Sequence, residues 1–290
     1  MIDLHIHTKY SDGTDDVIDI LKKAEYQKIK NISITDHNTV DAYKYLENID
    51  VSKYYSGNII VGIELNTKVL NIPIEILGYN FDYKILKEKL PNLYISAKER
   101  NKIEFSRLVD KCNQIGINIS DSDISKYDGN SFASKYIHQI INRDINNKKF
   151  IDEDAFENSN IFYRKYMSDP NSPFYVEMED IVPDFKTAVN LIKECGGLVF
   201  LPHIFEYKEN SQKILDFILD NYTIDGIECY YTTFSEEQHK TLLKLCVRNN
   251  FLVSGGSDYH GQNKPNVKIG IGFGNLKIPE HILDNWSLKL

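Results

Sequence analysis

The sequence of 290 residues contains few cysteines and no long apolar run. Its four cysteines, at positions 112, 195, 229 and 246, form no Cys-x-x-Cys pair, which argues against a zinc-thiolate site and against a disulfide framework. No stretch approaches the roughly 18 consecutive apolar residues of a transmembrane helix. We therefore expect a protein of a reducing compartment, whose thiols act as small buried hydrophobic groups.

Charge of one sign is not concentrated in any part of the chain. The formal net charge is −8 and is spread along the sequence, which argues against a nonspecific nucleic-acid or membrane surface. The first residues also lack the basic segment that opens a secretory signal. We expect a cytoplasmic protein that binds neither membranes nor duplex DNA, and the acidic balance suits a protein that holds divalent cations.

The sequence does contain short apolar runs that alternate with amphipathic segments. The runs "MIDLHI", "NISITDH", "NIIVGIEL" and "IPIEILGYN" lie within residues 1–80, and the alternation resumes after residue 183. This rhythm is typical of βαβ units. Residues 81–182 instead show helical periodicity and the loop-like stretch "SDPNSPF". We predict an α/β barrel formed by residues 1–80 and 183–290, with a helical insertion at 81–182.

Histidines and carboxylates recur where these apolar runs end. His5 and His7 are two residues apart on the first predicted strand, so their side chains point to the same face. Two imidazoles on one face form half of a metal site. In a parallel barrel the carboxyl ends of the strands open on one face, where such folds have their active sites. The residues at these positions are His5, His7, Asp12, Asp36, His37, Glu64, Glu75, His203, Glu228, Asp258 and His260.

This set contains more ligands than one ion can use, because a catalytic zinc needs only three protein ligands and an open position. We predict two or three divalent ions, with a carboxylate bridging a pair of ions roughly 3.5 to 4 Å apart, the spacing of two-metal phosphoester chemistry. Nitrogen and oxygen ligands without thiolate suit Zn, Mn or Fe, and also admit Mg. The remaining histidines, His138, His239 and His281, are expected to face solvent.

Five segments, in this order, resemble the motifs of the PHP (polymerase and histidinol phosphatase) family of metal-dependent phosphoesterases: "DLHIHTKYSDGTD", "ITDHNTVDA", "GIELNT", "LPH" and "GGSDYHG". The resemblance implies a distorted (β/α)7 barrel, similar to a TIM barrel, with up to three metals. It implies one ion held by His5, His7, Glu64 and Asp258, a second by Glu64, Glu75 and His203, and a third by Asp12, His37 and His260. Glu64 would then bridge two ions, a metal-bound hydroxide would attack a phosphomonoester, and the predicted catalytic residues are Asp12, His37, Glu64 and His260.

Within this family, "IEILGYNFD" and the helical insertion resemble the nucleotide-phosphatase branch, whose members remove phosphate from 3′,5′-bisphosphorylated nucleosides or trim short RNA ends. The expected substrate is therefore a nucleotide, a short RNA end or another small phosphorylated metabolite.

Two motifs differ from this branch: "ASK" at 133–135 stands where Arg-Pro-His is usual, and "IFEY" at 204–207 replaces Pro-Gly-Arg-Tyr. Both changes lower the local positive charge. The predicted substrate-binding cations are Lys9, Arg100 and Lys135, each with a solvated surface charge as the alternative.

Other functions share parts of this pattern. Histidinol-phosphate phosphatase activity is the alternative inside the family. A TatD-like nuclease or an amidohydrolase barrel also begins with His-x-His, but such barrels typically end on a lone aspartate rather than on "SDYH". A non-catalytic metal-binding domain is an answer of a different class, and the full ligand set argues against it.

Several residues of the pattern have roles that the sequence leaves open. Glu75 stands where the apparent relatives usually carry histidine; it could bind the second ion, accept a hydrogen bond from a ligand or face solvent. As a ligand it would shift the metal preference towards Mn²⁺ or Mg²⁺. Asp36 and Glu228 are expected to orient ligand histidines, since a metal-bound imidazole usually donates its other N–H to an oxygen. Tyr230 and Tyr231 are expected to pack in the core, with stacking on a substrate base as the alternative.

Overall fold

Seven β-strands form one sheet in the computed structural model, which describes residues 1–286; the last four residues of the predicted barrel segment, 287–290, lie outside this range. Neighbours in the sheet are also neighbours along the chain: β1 Ile2–Ile6, β2 Asn31–Ile34, β3 Asn58–Val69, β4 Ile72–Tyr79, β5 Leu198–Leu201, β6 Gly226–Tyr231 and β7 Leu252–Gly256. Beyond β7, Tyr259 forms a parallel bridge with Ile6 of β1, which nearly closes the sheet. The expected distorted (β/α)7 barrel is confirmed.

Helices precede or follow most of the strands, and their apolar residues recur at helical spacing. For example, the helix that precedes β5 buries Phe185, Ala188 and Ile192. The α-helices are α1 Val17–Tyr26, α2 Asp41–Leu46, α3 Tyr83–Lys89, α4 Ala97–Gln114, α5 Asp121–Lys126, α6 Ala133–Ile141, α7 Glu153–Glu157, α8 Ser159–Phe162, α9 Phe185–Glu194, α10 Ser211–Asn221 and α11 Glu236–Asn249. Among residues 1–286, no helix has both the length and the apolar character that crossing a bilayer requires.

Shorter helical turns occupy several connections. The 3₁₀ turns are Val51–Lys53, Leu90–Asn92, Ile145–Phe150, Glu179–Ile181, Ile204–Asn210, Gly261–Asn263 and Glu280–Leu283, and a π-helical turn spans Tyr163–Met167.

The fourth strand differs from the parallel arrangement that the alternation suggested. β4 runs antiparallel to both β3 and β5, whereas the other neighbouring strands are parallel. Leu70 and Asn71 reverse the chain between β3 and β4, with φ values of 53° and 59°. Positive φ at both central residues is the signature of a two-residue hairpin turn. Glu75 lies in the first half of β4 and not at its carboxyl end. Because β4 is reversed, this half lies beside the carboxyl-terminal half of β3, with Glu75 opposite Asn66.

The chain divides into two compact units. The first comprises Met1–Leu93 and Val182–Leu290, and the second comprises Tyr94–Ile181. The second unit has its own apolar core, which includes Leu108, Ile137 and Phe162. His138, expected to face solvent, is instead buried in this unit, and its Nε2 lies 2.9 Å from the carbonyl oxygen of Ala155. His138 lies on the buried side of α6, with its ring centre 5.4 Å from that of Phe162, and a backbone carbonyl satisfies its ring.

In the barrel unit, Asp3 joins β1 to two distant segments. The carboxylate is fully buried and accepts hydrogen bonds from the backbone N–H and the hydroxyl of Ser257, at 2.8 and 2.6 Å. The N–H of Gly270 donates at 2.6 Å, and that of His5 at 3.3 Å. Burial raises the pKa of Asp3 to about 6, although the bonds from Ser257 and Gly270 oppose this shift. Asp3 thus holds the chain around His5 against the segment that leads to Asp258.

A glycine permits the close approach of β7 to β1. A Cβ on Gly256 would lie 2.2 Å from Cβ of His5, so any larger residue would push the two strands apart. Asp258 then donates its N–H to the carbonyl of His5 at 2.8 Å. The "GGSD" segment therefore brings the end of β7 beside the first candidate ligand.

Candidate metal centre

The candidate ligands come from different strands and meet in one buried cluster. β1 carries His5, and His7 follows it directly. β3 carries Glu64, which forms a parallel bridge with His37 beyond the end of β2. His203 and Asp258 follow β5 and β7, and they adopt positive φ values of 25° and 56°. Positive φ is unfavourable for residues other than glycine, and such strain is found where the surrounding structure holds a functional residue.

The first group of ligand atoms surrounds one oxygen of Glu64. His5 Nε2 and His7 Nε2 lie 3.0 and 3.1 Å from Glu64 Oε2. Asp258 Oδ1 lies 3.4 Å from His7 Nε2 and 3.7 Å from His5 Nε2. Although Glu64 is so close, His7 Nε2 has no hydrogen-bond partner. The two atoms therefore do not point at each other, as expected when both are directed at a common third point.

The second group surrounds the other oxygen of Glu64. His203 Nε2 lies 2.9 Å from Glu64 Oε1 and 3.5 Å from Glu75 Oε2. The other oxygen of Glu75 accepts a hydrogen bond from Asn66 Nδ2 at 3.3 Å. The backbone N–H of Glu75 donates to the hydroxyl of Tyr207 at 2.9 Å. The side chain of Glu75, which is 25 % exposed, thus faces the cluster and not bulk solvent.

The third group lies around Asp12. His260 Nε2 lies 3.1 Å from Asp12 Oδ1, and His7 Nδ1 lies 3.5 Å from the same oxygen. His37 Nε2 lies 3.8 Å from Asp12 Oδ2. Asp12 and His37 are 37 % and 22 % exposed, so this group is the most open to solvent.

These donors fit divalent cations. Two ligands that each lie about 2.1 Å from one ion are roughly 3 to 3.5 Å apart, and the closest nitrogen–oxygen distances in the cluster are of this size. The sets whose ligand atoms all lie within 4.8 Å of one another are His7, Asp12, His37 and His260; His5, His7 and Glu64; and Glu64, Glu75 and His203. Buried His37 Nδ1, like His7 Nε2, has no hydrogen-bond partner. The role of these residues as ligands stays a prediction.

Charges within the cluster shift the pKa values of its members in opposite directions. Burial lowers the pKa of His7 to about 3, and the positive charges of His260 and His37 contribute. Burial would also lower the pKa of His5, but the negative charges of Glu64 and Glu228 outweigh it and raise this pKa well above its usual value. Metal binding requires neutral imidazole, so a bound cation would replace the proton on His5.

Glu228, as expected, contacts a candidate ligand on the side that faces away from the cluster. Its Oε1 lies 2.9 Å from His5 Nδ1, which leaves His5 Nε2 directed into the cluster. Its Oε2 accepts a hydrogen bond from the backbone N–H of His203 at 2.9 Å.

Asp36 binds a loop and not a histidine. It accepts hydrogen bonds from the N–H and the hydroxyl of Thr8, both at 2.7 Å, and from the hydroxyl of Ser11 at 2.6 Å. Asp36 therefore holds the loop that carries Asp12.

Two residues contact Asp258 in a way that the sequence did not predict. Tyr231, expected to pack, is buried and donates its hydroxyl to Asp258 Oδ2 at 2.6 Å. Lys264 forms an ion pair with the same oxygen. The charge of Lys264 contributes to the strong lowering of the pKa of Asp258, which burial alone would raise. A lysine shortly after "SDYHG" was the available sequence signal, but lysines are common in loops and the contact depends on the fold of that loop.

The three predicted substrate-binding cations have partners within their own units. In the barrel unit, Lys9 pairs with Asp16 and remains 54 % exposed. In the second unit, Arg100 Nη1 lies 3.6 Å from Glu104 Oε2. Lys135 lies 5.3 Å from the ring centre of Phe132. Their contribution to substrate binding stays a prediction.

Comparison with known proteins agrees with these observations. Residues 3–251 match the PHP domain. The chain is 25 % identical to a 5′-3′ exoribonuclease of Haemophilus influenzae, over 98 % of this chain and 97 % of that protein. It is 24 % identical to a 3′,5′-nucleoside bisphosphate phosphatase of Chromobacterium violaceum, over 93 % and 90 % of the two chains.

A solved structure shares the fold. A protein of Bifidobacterium adolescentis assigned as a metal-dependent phosphoesterase superposes with a TM-score of 0.72 and 19 % identity, over 99 % of this chain and 96 % of that chain. At this level of identity, the likeness shows the fold alone. The match to the domain covers most of the sequence, and the chain therefore belongs to the PHP domain family.

Proposed function

We propose that the protein hydrolyses a phosphomonoester of a nucleotide, or of another small phosphorylated metabolite, with the help of two or three divalent cations. The observation that carries this proposal is the position of Glu64. Its Oε2 lies beside His5 and His7, and its Oε1 lies beside His203. One carboxylate that faces two sets of nitrogen donors is suited to bridge two cations, the arrangement used in phosphoester hydrolysis.

The residues of the cluster would have different roles, which depend on how exposed they are to solvent. His5, His7 and Glu64 are almost fully buried, so they would hold the cations and exclude water. Asp12 and His37 are more exposed than these three residues, and with two cations bound they would contact the phosphate ester and exchange a proton with the leaving oxygen. When bound, divalent cations would lower the pKa of water and offset the charge of the phosphate oxygens.

The relatives support a ribose phosphate as the substrate class. The similar proteins are named as a 3′,5′-nucleoside bisphosphate phosphatase, a 5′-3′ exoribonuclease and, at 22 % identity in Eggerthella lenta, a phosphoribosyl 1,2-cyclic phosphate 1,2-diphosphodiesterase. All three names describe phosphate esters of ribose. Glu206 argues for a substrate with fewer charges than a bisphosphate, because it places a carboxylate on the segment that follows His203.

A substrate screen with metal analysis tests the proposal. Protein purified without chelator should contain clearly more than one equivalent of metal, and with Mn²⁺ it should release phosphate from nucleoside monophosphates, 3′,5′-bisphosphates or short 5′-phosphorylated RNA. Removal of the metal with a chelator should abolish this release. Histidinol phosphate belongs in the same panel as the alternative substrate. Absence of release from every ester would contradict the proposed function, and a single ion at saturation would contradict the cluster.

Glu75 offers a test of the second cation. We expect Glu75→Ala to lose about one metal equivalent, because Glu75 lies 3.5 Å from His203 and has Asn66 to orient it. Glu75→His should restore the lost equivalent with a weaker preference for Mn²⁺ over Zn²⁺, since imidazole is a softer ligand than carboxylate. Metal content measured after loading with each ion compares the three proteins. Full occupancy in both variants would show that the second cation is held without residue 75.

A further inference from the structure

Lys264 brings a positive charge to a cluster that otherwise consists of histidines and carboxylates. It lies just beyond the turn Gly261–Asn263 that follows His260. This loop is held in place by several hydrogen bonds. The N–H of Lys264 donates to the carbonyl of Gly261 at 3.2 Å, and Asn263 Nδ2 donates to the carbonyl of Asp12 at 2.6 Å. The backbone at Lys264 is therefore anchored to the same segment as a candidate ligand.

The ion pair with Asp258 does not use the full hydrogen-bonding capacity of the lysine. An ammonium group has three donors, and Asp258 Oδ2 takes one of them. The side chain of Lys264 is 30 % exposed, whereas that of Asp258 is 6 % exposed, so the lysine lies on the solvent side of the carboxylate. Two donors can thus be directed to a ligand that approaches the cluster from solvent.

Asp258 does not need Lys264 to keep its orientation. The hydroxyl of Tyr231 donates to the same Oδ2 at 2.6 Å, while Oδ1 faces His7 Nε2 and His260 Nδ1 at 3.4 and 3.2 Å. What the lysine adds beyond Tyr231 is a positive charge near the open side of the cluster.

We infer that Lys264 binds a non-bridging oxygen of the substrate phosphate and thereby favours a dianionic phosphomonoester over a monoanionic phosphodiester. This inference rests on the proposed function, to which it adds a residue that determines the substrate class. A terminal phosphate carries one more negative charge than a diester, and a fixed ammonium group therefore binds it more strongly. The role is that of a substrate-binding residue, since the ammonium group touches the phosphate directly.

Calorimetric binding of inorganic phosphate to the Mn²⁺-loaded protein tests the inference without requiring turnover. Lys264→Met should bind phosphate about 10- to 100-fold more weakly than the wild type, because a hydrogen bond to a charged group is lost. Lys264→Arg, which keeps the charge, should recover most of the affinity. Lys268→Gln removes an exposed lysine four residues later and should bind phosphate as the wild type does. The metal content of each protein is measured in parallel.

Tyr231→Phe separates binding from positioning. It removes a hydrogen bond to the same oxygen of Asp258 but no charge, so it should weaken phosphate binding much less than Lys264→Met. Equal weakening in both variants would mean that Lys264 acts only through Asp258, which would overturn the inference. Unchanged phosphate affinity in Lys264→Met at full metal content would also overturn it.

Kinetics distinguish this inference from the proposed function. If the wild type hydrolyses phosphomonoesters, Lys264→Met should raise KM and lower the ratio of monoester to diester hydrolysis. If the wild type hydrolyses no ester, the proposed function fails, while Lys264-dependent binding of inorganic phosphate would still support the lysine as a phosphate ligand. An active wild type whose KM and substrate ratio do not depend on Lys264 would contradict the inference alone.

Discussion

Glu64→Ala is expected to lower kcat/KM for phosphomonoester hydrolysis on the order of 10³-fold or more. Glu64 is 1 % exposed, and its two oxygens lie within 3.1 Å of three histidine nitrogens. Without the carboxylate, both neighbouring groups of candidate ligands would lose a member, and the proposed cations would lose a bridging negative charge. Steady-state kinetics with saturating Mn²⁺, together with metal analysis, measure the effect, and the variant should lose at least one metal equivalent.

Two further substitutions separate the charge of Glu64 from its packing. Glu64→Gln keeps the shape without the charge and should be almost as inactive as the alanine variant. Glu25→Gln changes an exposed glutamate of α1 that binds Ser56, and it should match the wild type. Circular dichroism spectra should show that all variants remain folded. Activity of Glu64→Ala within tenfold of the wild type would mean that the reaction does not depend on a bridging carboxylate.

Asp3→Ala should lower the free energy of unfolding by about 3 to 5 kcal/mol, a larger loss than that expected of Ser257→Ala. The carboxylate is fully buried and accepts hydrogen bonds from Ser257, Gly270 and His5. Its removal leaves these donors without their partner in a region that water does not reach. Denaturant unfolding of the metal-free protein at neutral pH gives the difference directly.

Ser257→Ala is the matched control for Asp3. It removes the hydroxyl donor, at 2.6 Å from Asp3 Oδ2, but leaves the backbone donors to the same carboxylate in place. We expect it to cost only about 1 kcal/mol. Because Asp3 fastens the segment before Asp258, Asp3→Ala should also weaken metal binding in the protein that remains folded. A loss of less than 1 kcal/mol in Asp3→Ala would show that the loops hold their positions without this carboxylate.

Much of the fold could be predicted from local features of the chain. The alternation predicted after residue 183, for example, corresponds to α9, α10 and α11, which alternate with β5, β6 and β7. The direction of β4 could not be predicted in this way. Its turn at Leu70 and Asn71 lacks glycine, the usual mark of a hairpin turn with two positive φ values, and the two apolar runs read equally well as parallel strands.

The candidate ligands could be selected from the sequence because each one follows or lies within an apolar run, and strand ends in a barrel converge. The contacts that position these candidate ligands could not be predicted from the sequence. Tyr231 and Lys264 meet at Asp258, and Glu228 reaches His5 from a position 223 residues away in the chain. No local pattern distinguishes these residues from a core tyrosine, a loop lysine or another strand-end carboxylate.

The sequence alone determined the alternation of strands and helices, the set of candidate ligands and the PHP family, because apolar periodicity and closely spaced motifs are local properties of the chain. Only the tertiary structure decided that β4 is reversed, which of the carboxylates face the cluster and which hold loops, and that Lys264 brings a cation to Asp258. The physical reason is that these features depend on contacts between residues far apart in sequence. Such contacts form only when the sheet closes and brings the strand ends together.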